Sequence, residues 1–146
     1  MAPSKAEKNG HVLRAFIGDV WDRGDLTSID GYIAPTYTVH HDPGDPWHGQ
    51  TLTLEGFCER VETSRAPIPD QCFDIQSLTP ADDRVCITWL WSGTHLGEIG
   101  GFTATGKRLT MSGATLYYFD DSKITGHWQI ADRLTIYEQL MQNANS

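Results

Sequence analysis

The chain has 146 residues, of which 39% are hydrophobic and 21% charged, and its formal net charge is −8. This size and composition predict one domain over residues 1–146, large enough to bury a hydrophobic core. The acidic balance argues against nucleic acid and anionic membranes as partners, because both attract basic surfaces. A membrane-spanning helix is not expected either, since no apolar run approaches the roughly 18 residues that one needs.

The cysteines and the N-terminus favour a cytoplasmic protein. Cys58, Cys72 and Cys86 are scattered, and their odd number without CxxC spacing indicates neither a disulfide framework nor a zinc site. We therefore expect reduced thiols. The opening segment MAPSKAEKNG lacks the apolar stretch of a secretory signal, which agrees with this location.

Three helices are predicted in the N-terminal half. The first begins at a capping box, residues 4–7, and carries apolar residues at helical spacing, so it should end near Gly24. A short second helix is predicted over residues 26–33 and is ended by Pro35. A strand over residues 37–41 and a loop rich in proline and glycine lead to the third helix, which is predicted over residues 53–65.

The C-terminal half predicts four strands and a final helix. Two strands are predicted over residues 72–78 and 84–95, and a hairpin over residues 109–131 turns at residues 120–123. Consecutive strands with short turns indicate an antiparallel sheet, and helices grouped early in the chain indicate packing on one of its faces. The predicted class is therefore α+β, with a curved sheet whose concave side holds an apolar pocket for a small molecule.

Asp132, between the hairpin and the last helix, is the first candidate for acid/base chemistry. Alternate residues on the second arm of the hairpin share a face, which places Ile124, Trp128 and Ile130 in one row with Asp132 at its end. If that row faces the interior, burial raises the pKa of the Asp132 carboxyl, which could then exchange protons near neutral pH. The alternative is that Asp132 is only the N-cap of the helix, which would favour its charged form.

Histidines supply the other candidate acid/base groups. His95 follows a Gly-Thr pair at the end of a strand, and both a structural and a catalytic role are open. His127 has the opposite strand parity to Asp132, so it is expected on the other side of the sheet, at the surface or an interface. His41 is expected at the pocket, because it lies nearer the loop than His40 and adjacent strand residues point to opposite faces.

Aromatic side chains are the expected walls of the pocket. Trp91 and Trp128 lie on predicted strands, where a large apolar side chain packs into a core or lines a cavity. Tyr37, Tyr117 and Tyr118 could each donate a hydrogen bond to an enolate oxygen, and alternation does not decide among them. We expect Tyr37 and Tyr117 to bind substrate together with the two tryptophans.

Metal and phosphate sites are disfavoured by spacing. Asp42 and His48 lie close to His41 in sequence, but no metal-binding motif joins them. The glycine-rich segments 44–49 and 97–101 lack the spacing of phosphate-binding or dinucleotide-binding loops. No metal ion is therefore expected.

Several short motifs stand in an order shared with a known family. Together they make the chain resemble the SnoaL-like polyketide cyclases, also called ester cyclases, of the NTF2-like superfamily. The motifs are WDRGD at 21–25, HHDP at 40–43, IPD at 68–70, GTHLG at 93–97, TGK at 105–107, and the run from SKI at 122–124 through HW at 127–128 and Asp132 to QL at 139–140. Each motif is weakly specific alone, but their shared order covers nearly the whole chain.

This resemblance implies a cone-shaped α+β fold, in which a curved antiparallel sheet holds the N-terminal helices on its concave side. It also implies a deep pocket for a hydrophobic substrate, a homodimer or higher oligomer, and no metal or organic cofactor. Family members of this type close rings of secondary metabolites by intramolecular aldol chemistry. Their acid/base group maps onto Asp132. His95 is the second candidate catalytic residue, from its place at the end of a strand and not from the resemblance.

The sequence departs from the family pattern at several positions. Ala104 stands where proline is usual, Ser122 replaces a turn glycine, and His127 replaces an acid. The strand that precedes the Asp132 arm also lacks the histidine and glutamine that the cyclases carry there. These departures concern the reaction more than the fold, because fold alone does not fix function.

Two further functions therefore stay open. One is a non-catalytic small-ligand-binding or accessory protein on the same fold. The other is an epoxide hydrolase, dehydratase or isomerase, which would need further acids or a His–Asp pair beside the pocket. Asp74, Glu98 and His95 are candidates for those groups.

Overall fold

Residues 2–146 are described in a computed structural model. A long N-terminal helix, α1, continues as a π-helical segment, Ile17–Asp22, and the remaining helices and strands follow along the chain. The elements are α1 Lys5–Phe16, α2 Ile29–Tyr32, β1 Ile33–His41, β2 Thr51–Thr53, α3 Leu54–Arg65, β3 Cys72–Ala81, β4 Arg84–Thr94, β5 Arg108–Asp120, β6 Lys123–Ala131 and α4 Arg133–Ala144.

Local sequence signals placed most of these elements correctly. Ser4 caps α1 by accepting a hydrogen bond from the backbone N–H of Glu7, and Thr53 caps α3 in the same way. The second predicted helix is reduced to the single turn of α2, because β1 begins at Ile33 rather than at residue 37. Pro35 is tolerated in β1 because the pairing with β6 is irregular around it.

The six strands form one sheet in the order β2-β1-β6-β5-β4-β3. Strands β3 to β6 pair antiparallel with their neighbours in sequence, as predicted. β1 was not foreseen as the partner of β6, and this pair is parallel. Because β6 lies between β1 and β5, the end of β1 lies beside the middle of β6.

The helices cover the concave face of the curved, unclosed sheet and bury the core there. Phe16 from α1 and Phe57 from α3 are fully buried among inward side chains of β4 such as Ile87 and Trp89. This arrangement confirms the predicted α+β fold class. None of the helices in residues 2–146 is long and apolar enough to cross a membrane.

A β-bulge in β6 decides which side chains face the concave side. Tyr118 pairs with Gly126 while Phe119 pairs with Ile124, so Thr125 is an extra residue. The extra residue reverses the alternation after Ile124. His127 and Gln129 consequently point inward, whereas Trp128 and Ile130 point outward with 42% and 49% of their surface exposed. The inward row ending at Asp132, one of the two alternatives, is therefore not formed, and the surface position predicted for His127 is wrong.

A second irregularity, at the end of β1, has the same kind of effect. Val39 pairs with His127 and His41 pairs with Trp128, which leaves His40 as an extra residue. His40 contacts the outward ring of Tyr118, and His41 stacks on the outward ring of Trp128. Both histidines thus lie on the outer face, and the expectation that they point to opposite faces is wrong. Asp42, the next residue, lies buried on the inner side.

Candidate functional site

A cavity of about 160 Å³ lies between the helices and the inner face of the sheet. One part of its wall is apolar and largely aromatic, and is formed by Trp21, Phe73, Trp89, Trp91 and Met111. The other part is polar, and is formed by Tyr37, Asp45, Arg60, Ser64, Gln71, Tyr117, His127, Gln129 and Arg133. An apolar wall with a few convergent polar groups is typical of a small-molecule site.

His127 is the centre of the polar wall. Its Nε2 atom lies 2.8 Å from Oδ2 of Asp42, and its Nδ1 atom lies 2.5 Å from the hydroxyl oxygen of Tyr37. Burial lowers the pKa of His127, although the hydrogen bond with Asp42 raises it, so the ring is neutral at pH 7. Burial also raises the pKa of Tyr37 far above its usual range, so Tyr37 keeps its proton and donates it to Nδ1. The proton of His127 therefore lies on Nε2 and is donated to Asp42.

Asp42 is a fully buried carboxylate with several donors. Gln129 donates from Nε2 to both carboxylate oxygens, at 3.2 and 3.1 Å, and Arg133 donates from Nη1 at 2.9 Å. Burial alone would raise the pKa of Asp42, but the hydrogen bond from His127 and the charge of Arg133 outweigh it and lower this pKa. Asp42 therefore stays charged and fixes the tautomer of His127.

Arg60 balances the charge of the polar wall. Its Nη2 atom donates to Asp45 at 3.0 Å and lies 3.4 Å from Asp42, and its guanidinium carbon lies 5.1 Å from the centre of the Trp21 ring. With Arg133, the site contains two buried carboxylates and two guanidinium groups. Their formal charges cancel while His127 is neutral, which is the condition under which such a buried network is tolerated.

A chain of hydrogen bonds from the sheet orients Gln129. Trp89 donates from Nε1 to the hydroxyl of Thr115 at 2.9 Å, and Thr115 donates to Oε1 of Gln129 at 2.6 Å. With its oxygen engaged there, Gln129 presents its NH₂ group to Asp42. Hydrogen bonds through Trp89, Thr115 and Gln129 thus link the cavity wall to the buried carboxylate of Asp42.

Some of the predicted binding residues lie at this cavity and others do not. Tyr37, Tyr117 and Trp91 line it. His41 and Trp128 lie on the outer face, where their rings stack 4.4 Å apart, so their predicted place at the pocket is wrong. The physical reason is the pair of strand irregularities, which turn both rings away from the cavity.

Asp132 is an exposed helix cap. Its carboxylate accepts hydrogen bonds from the backbone N–H of Thr135 at 3.1 Å and from the Thr135 hydroxyl at 2.6 Å. These two hydrogen bonds lower the pKa of Asp132, which is the reverse of the raised value expected for a carboxylate on an apolar wall. The structure thus gives the capping position and not the buried one, and Asp132 does not line the cavity around His127.

His95 is also remote from the cavity. It is fully buried beside the segment that joins β4 to β5, where its Nδ1 atom lies 3.5 Å from the hydroxyl of Thr105. Its backbone N–H and carbonyl are both hydrogen-bonded to that segment, at Lys107 and Gly106. His95 does not line the cavity, so it lies apart from the polar wall.

Sequence reasoning did not single out six residues of the polar wall, and it considered Asp42, behind that wall, only as a metal ligand. The six are Asp45, Arg60, Ser64, Gln71, Gln129 and Arg133. One signal was available for Arg60, because it lies on the same helical face as Phe57 and Val61, where a charge is unusual. Another was Gly126, since a glycine inside a strand often marks a bulge. No grouping of three or more His, Cys, Asp or Glu side chains suited to a metal occurs within residues 2–146.

Several solved structures are similar to this chain. A presumed polyketide cyclase from Acidithiobacillus ferrooxidans is 54% identical, with a TM-score of 0.89, over 98% of this chain and 99% of its own. IdmH, a presumed polyketide cyclase from Streptomyces antibioticus, is 26% identical, with a TM-score of 0.78, over 91% and 98%. AclR, a presumed hydroxylase from Streptomyces galilaeus, is 22% identical, with a TM-score of 0.77, over 95% and 98%, and this likeness shows the fold alone.

No protein of curated function matches the chain. Residues 11–140 match the family described as SnoaL-like polyketide cyclase, and this range includes every residue of the site. The sequence motifs, the curved sheet and the cavity beneath the helices agree with this match. The chain therefore belongs to the SnoaL-like polyketide cyclase family.

Proposed function

We propose that the chain is a cofactor-free acid/base enzyme of the cyclase type, which acts on a carbonyl compound in the cavity. One observation carries this proposal: the hydrogen-bonded series Tyr37–His127–Asp42, which runs from the cavity wall to a buried carboxylate. Such a series has the parts of a proton relay, namely a hydroxyl, a neutral imidazole and a carboxylate that orients it.

The first step is removal of a proton from the carbon next to the carbonyl. The oxygen of Tyr37 accepts that proton while its own proton passes to Nδ1 of His127. The imidazolium that results is stabilised by the Asp42 carboxylate 2.8 Å from Nε2. The electron pair of the broken C–H bond becomes the enolate, so charge is conserved across the site.

The second step forms the new bond. The enolate carbon attacks a second carbonyl of the same molecule, and the alkoxide formed there receives the proton of Tyr37. His127 then returns its extra proton to Tyr37, which restores the starting state. The aromatic wall contributes by holding the flexible substrate in attack geometry.

A hydrolase or dehydratase is the second candidate. That chemistry needs a His–Asp pair beside the pocket, and His127 with Asp42 is such a pair. The residues first considered for it do not supply the pair, because Asp74 and Glu98 are exposed and His95 lies elsewhere. A non-catalytic binding protein is the third outcome, since both ring nitrogens of His127 already have partners within the protein.

Deuterium exchange measured by NMR tests the first candidate. Methyl acetoacetate and methyl phenylacetate in D₂O are offered to wild type, Tyr37→Phe and His127→Gln. We expect wild type to accelerate exchange next to the carbonyl, and both variants to lose about 100-fold or more of that acceleration. Tyr118→Phe is the matched control, because Tyr118 lies on the outer face of the sheet, where its ring contacts His40.

The outcomes separate the candidates. Full exchange by a folded Tyr37→Phe variant would remove Tyr37 from the mechanism. Exchange by wild type without ring closure on longer diketones, together with water addition or loss, would favour the hydrolase or dehydratase. Binding of the esters without any acceleration would favour the non-catalytic protein.

We also propose that the protein forms a homodimer through the outer face of the sheet, as the family resemblance implies. Leu90, Trp128 and Ile130 lie on this face with about half of their surface exposed. A two-fold interface buries the same patch on both copies, so one apolar face is sufficient.

A further inference from the structure

Two hydrogen-bond donors at the cavity lack partners among residues 2–146. The Arg60 guanidinium lines the cavity, and its hydrogen bonds to Asp42 and Asp45 both leave from Nη2, so its Nη1 atom has no acceptor among residues 2–146. The side chain of Tyr117 is buried, and its hydroxyl forms no hydrogen bond with a described residue, whereas the neighbouring Tyr37 hydroxyl is bonded to His127. Polar groups in protein interiors usually have a partner, so donors that line a cavity and have none among the described residues are available to an acceptor on a ligand.

The two donors lie close enough together for the charge of Arg60 to affect the pKa of Tyr117. Burial raises the pKa of Tyr117 well above its usual value, and the nearby Arg60 charge lowers it only in part, so the hydroxyl keeps its proton. Arg60 keeps its charge beside Asp45 and Asp42. Two donors of this strength suit one oxygen on which negative charge develops.

The charges already present in the site favour a neutral ligand oxygen over a carboxylate. Asp42 and Asp45 already offset Arg60 and Arg133, so a ligand carboxylate would leave one buried negative charge without compensation. A neutral carbonyl group adds no charge on binding. When the relay removes a proton from that ligand, the new negative oxygen is balanced by the imidazolium of His127.

The size of the cavity limits the ligand. An apolar cavity of about 150 Å³ in another protein holds one benzene ring, and the cavity here measures about 160 Å³. Its aromatic wall, with Trp21, Phe73 and Trp89, suits a planar ring or a short folded chain. A ligand of several fused rings would exceed this space.

We propose that Arg60 and Tyr117 form an oxyanion subsite for a neutral carbonyl compound of single-ring size. This inference rests on the proposed acid/base function, and it narrows the substrate from polyketides in general to compact monocyclic or short-chain ketones and esters. The Nη1 group of Arg60 and the hydroxyl of Tyr117 donate to the carbonyl oxygen, and Tyr37 accepts the proton.

Binding of 4-nitrophenol tests the subsite without turnover. The molecule has one ring, its ionised oxygen resembles an enolate oxygen, and the yellow absorbance of its phenolate reports where the proton lies. We expect wild type to bind it and to raise the phenolate fraction above that in buffer at the same pH. Tyr117→Phe and Arg60→Lys should each weaken binding about tenfold, because each removes one donor from the oxygen. Tyr118→Phe should bind as wild type does.

Three outcomes would overturn the inference. Unchanged affinity in folded Tyr117→Phe and Arg60→Lys would place the oxygen elsewhere. Equal or tighter binding of the three-ring phenol anthracen-2-ol would exclude the single-ring limit. Absence of 4-nitrophenol binding to wild type would remove the subsite altogether.

The failure of the relay gives a different pattern. If His127→Gln binds 4-nitrophenol with unchanged affinity and still raises its phenolate fraction, the proton does not pass to His127. The subsite then stands as a binding site while the proposed proton relay is wrong.

Discussion

His127 and Asp42 are 85 positions apart in the chain, and their side chains meet at 2.8 Å beneath the helices. The contact depends on both strand irregularities, because each one turns its residue toward the inner face. A buried carboxylate next to a neutral imidazole, with a tyrosine on the other ring nitrogen, is an arrangement that costs free energy unless every charge is paired. Its place at a cavity is the physical reason to treat it as functional.

Asp42→Asn tests this contact directly. The amide cannot accept from Arg60, Arg133 and His127 together, and the buried guanidinium of Arg60 and the partly exposed one of Arg133 would share only the charge of Asp45. We expect the free energy of unfolding to fall by about 3 kcal/mol, and ester deuterium exchange to fall about 100-fold. Urea unfolding and NMR measure the two effects. A folded variant with wild-type exchange would contradict the role of Asp42.

Acid should destabilise the protein in two steps. The pKa of His127 is lowered in the folded state, so the unfolded chain binds more protons below its own value of about 6.5, and stability falls as pH decreases through that range. The pKa of Asp42 is also lowered, so its contribution is present above about pH 4 and is lost as pH falls further. Urea unfolding between about pH 7.5 and about pH 3 measures both steps.

His127→Gln is the control for the first step. It removes the imidazole and keeps a side chain that can donate to Asp42, so the stability loss between about pH 7 and pH 5 should become smaller. The second step, below about pH 4, should remain. An unchanged first step would show that other groups cause it.

The sequence predicted the fold well because the fold depends on local signals. Caps at Ser4 and Thr53, apolar spacing in α1 and α3, and the turn after Asp120 are each set by neighbouring residues. The residues that reach the site depend instead on irregular strand pairing, which neighbouring residues do not set. One extra residue, Thr125, exchanges the two faces of β6. Regular alternation takes no account of this residue, so it grouped Asp132 with the apolar row and placed His127 on the opposite face, whereas His127 points inward in the structure.

The partners of His127 were harder to predict for a second reason. Asp42 lies in a loop segment, HHDPGD, whose direction follows from the parallel pairing of β1 with β6, and parallel pairing joins segments far apart in sequence. Only Gly126 carried a readable signal of the irregularity. A Cβ atom there would overlap the backbone carbonyl of Thr38, so the strand can approach β1 only with glycine.

Asp132→Asn separates capping from catalysis. Asparagine is as good a cap as aspartate, so the urea midpoint should stay at the wild-type value, whereas Asp132→Ala should lower it. Ester exchange should remain within about threefold of wild type in both folded variants, since the carboxylate is exposed and its pKa is lowered. A loss of exchange in Asp132→Asn with an unchanged midpoint would return Asp132 to the catalytic role that the family resemblance implies.

Gly126→Ala tests the bulge. The added methyl group would overlap the Thr38 carbonyl and press on the His40 ring, so β1 and β6 must separate or shift register. We expect a loss of about 1–3 kcal/mol in the free energy of unfolding. Gly31→Ala is the matched control, because a Cβ atom there meets no other atom within 4 Å. Equal stability of the two variants would show that the bulge does not depend on Gly126.

Leu90→Glu and Ile130→Glu test the proposed homodimer. Both side chains are about half exposed on the outer face of the sheet, at 50% and 49%, and a charge there would face a charge on the second copy across a two-fold axis. We expect light scattering to give a dimer mass for wild type and a lower mass for each variant. Leu96→Glu is the control, since Leu96 is 56% exposed in the segment after β4 and lies off this face. A monomeric wild type would exclude the dimer, and dimers in both variants would place the interface on another surface.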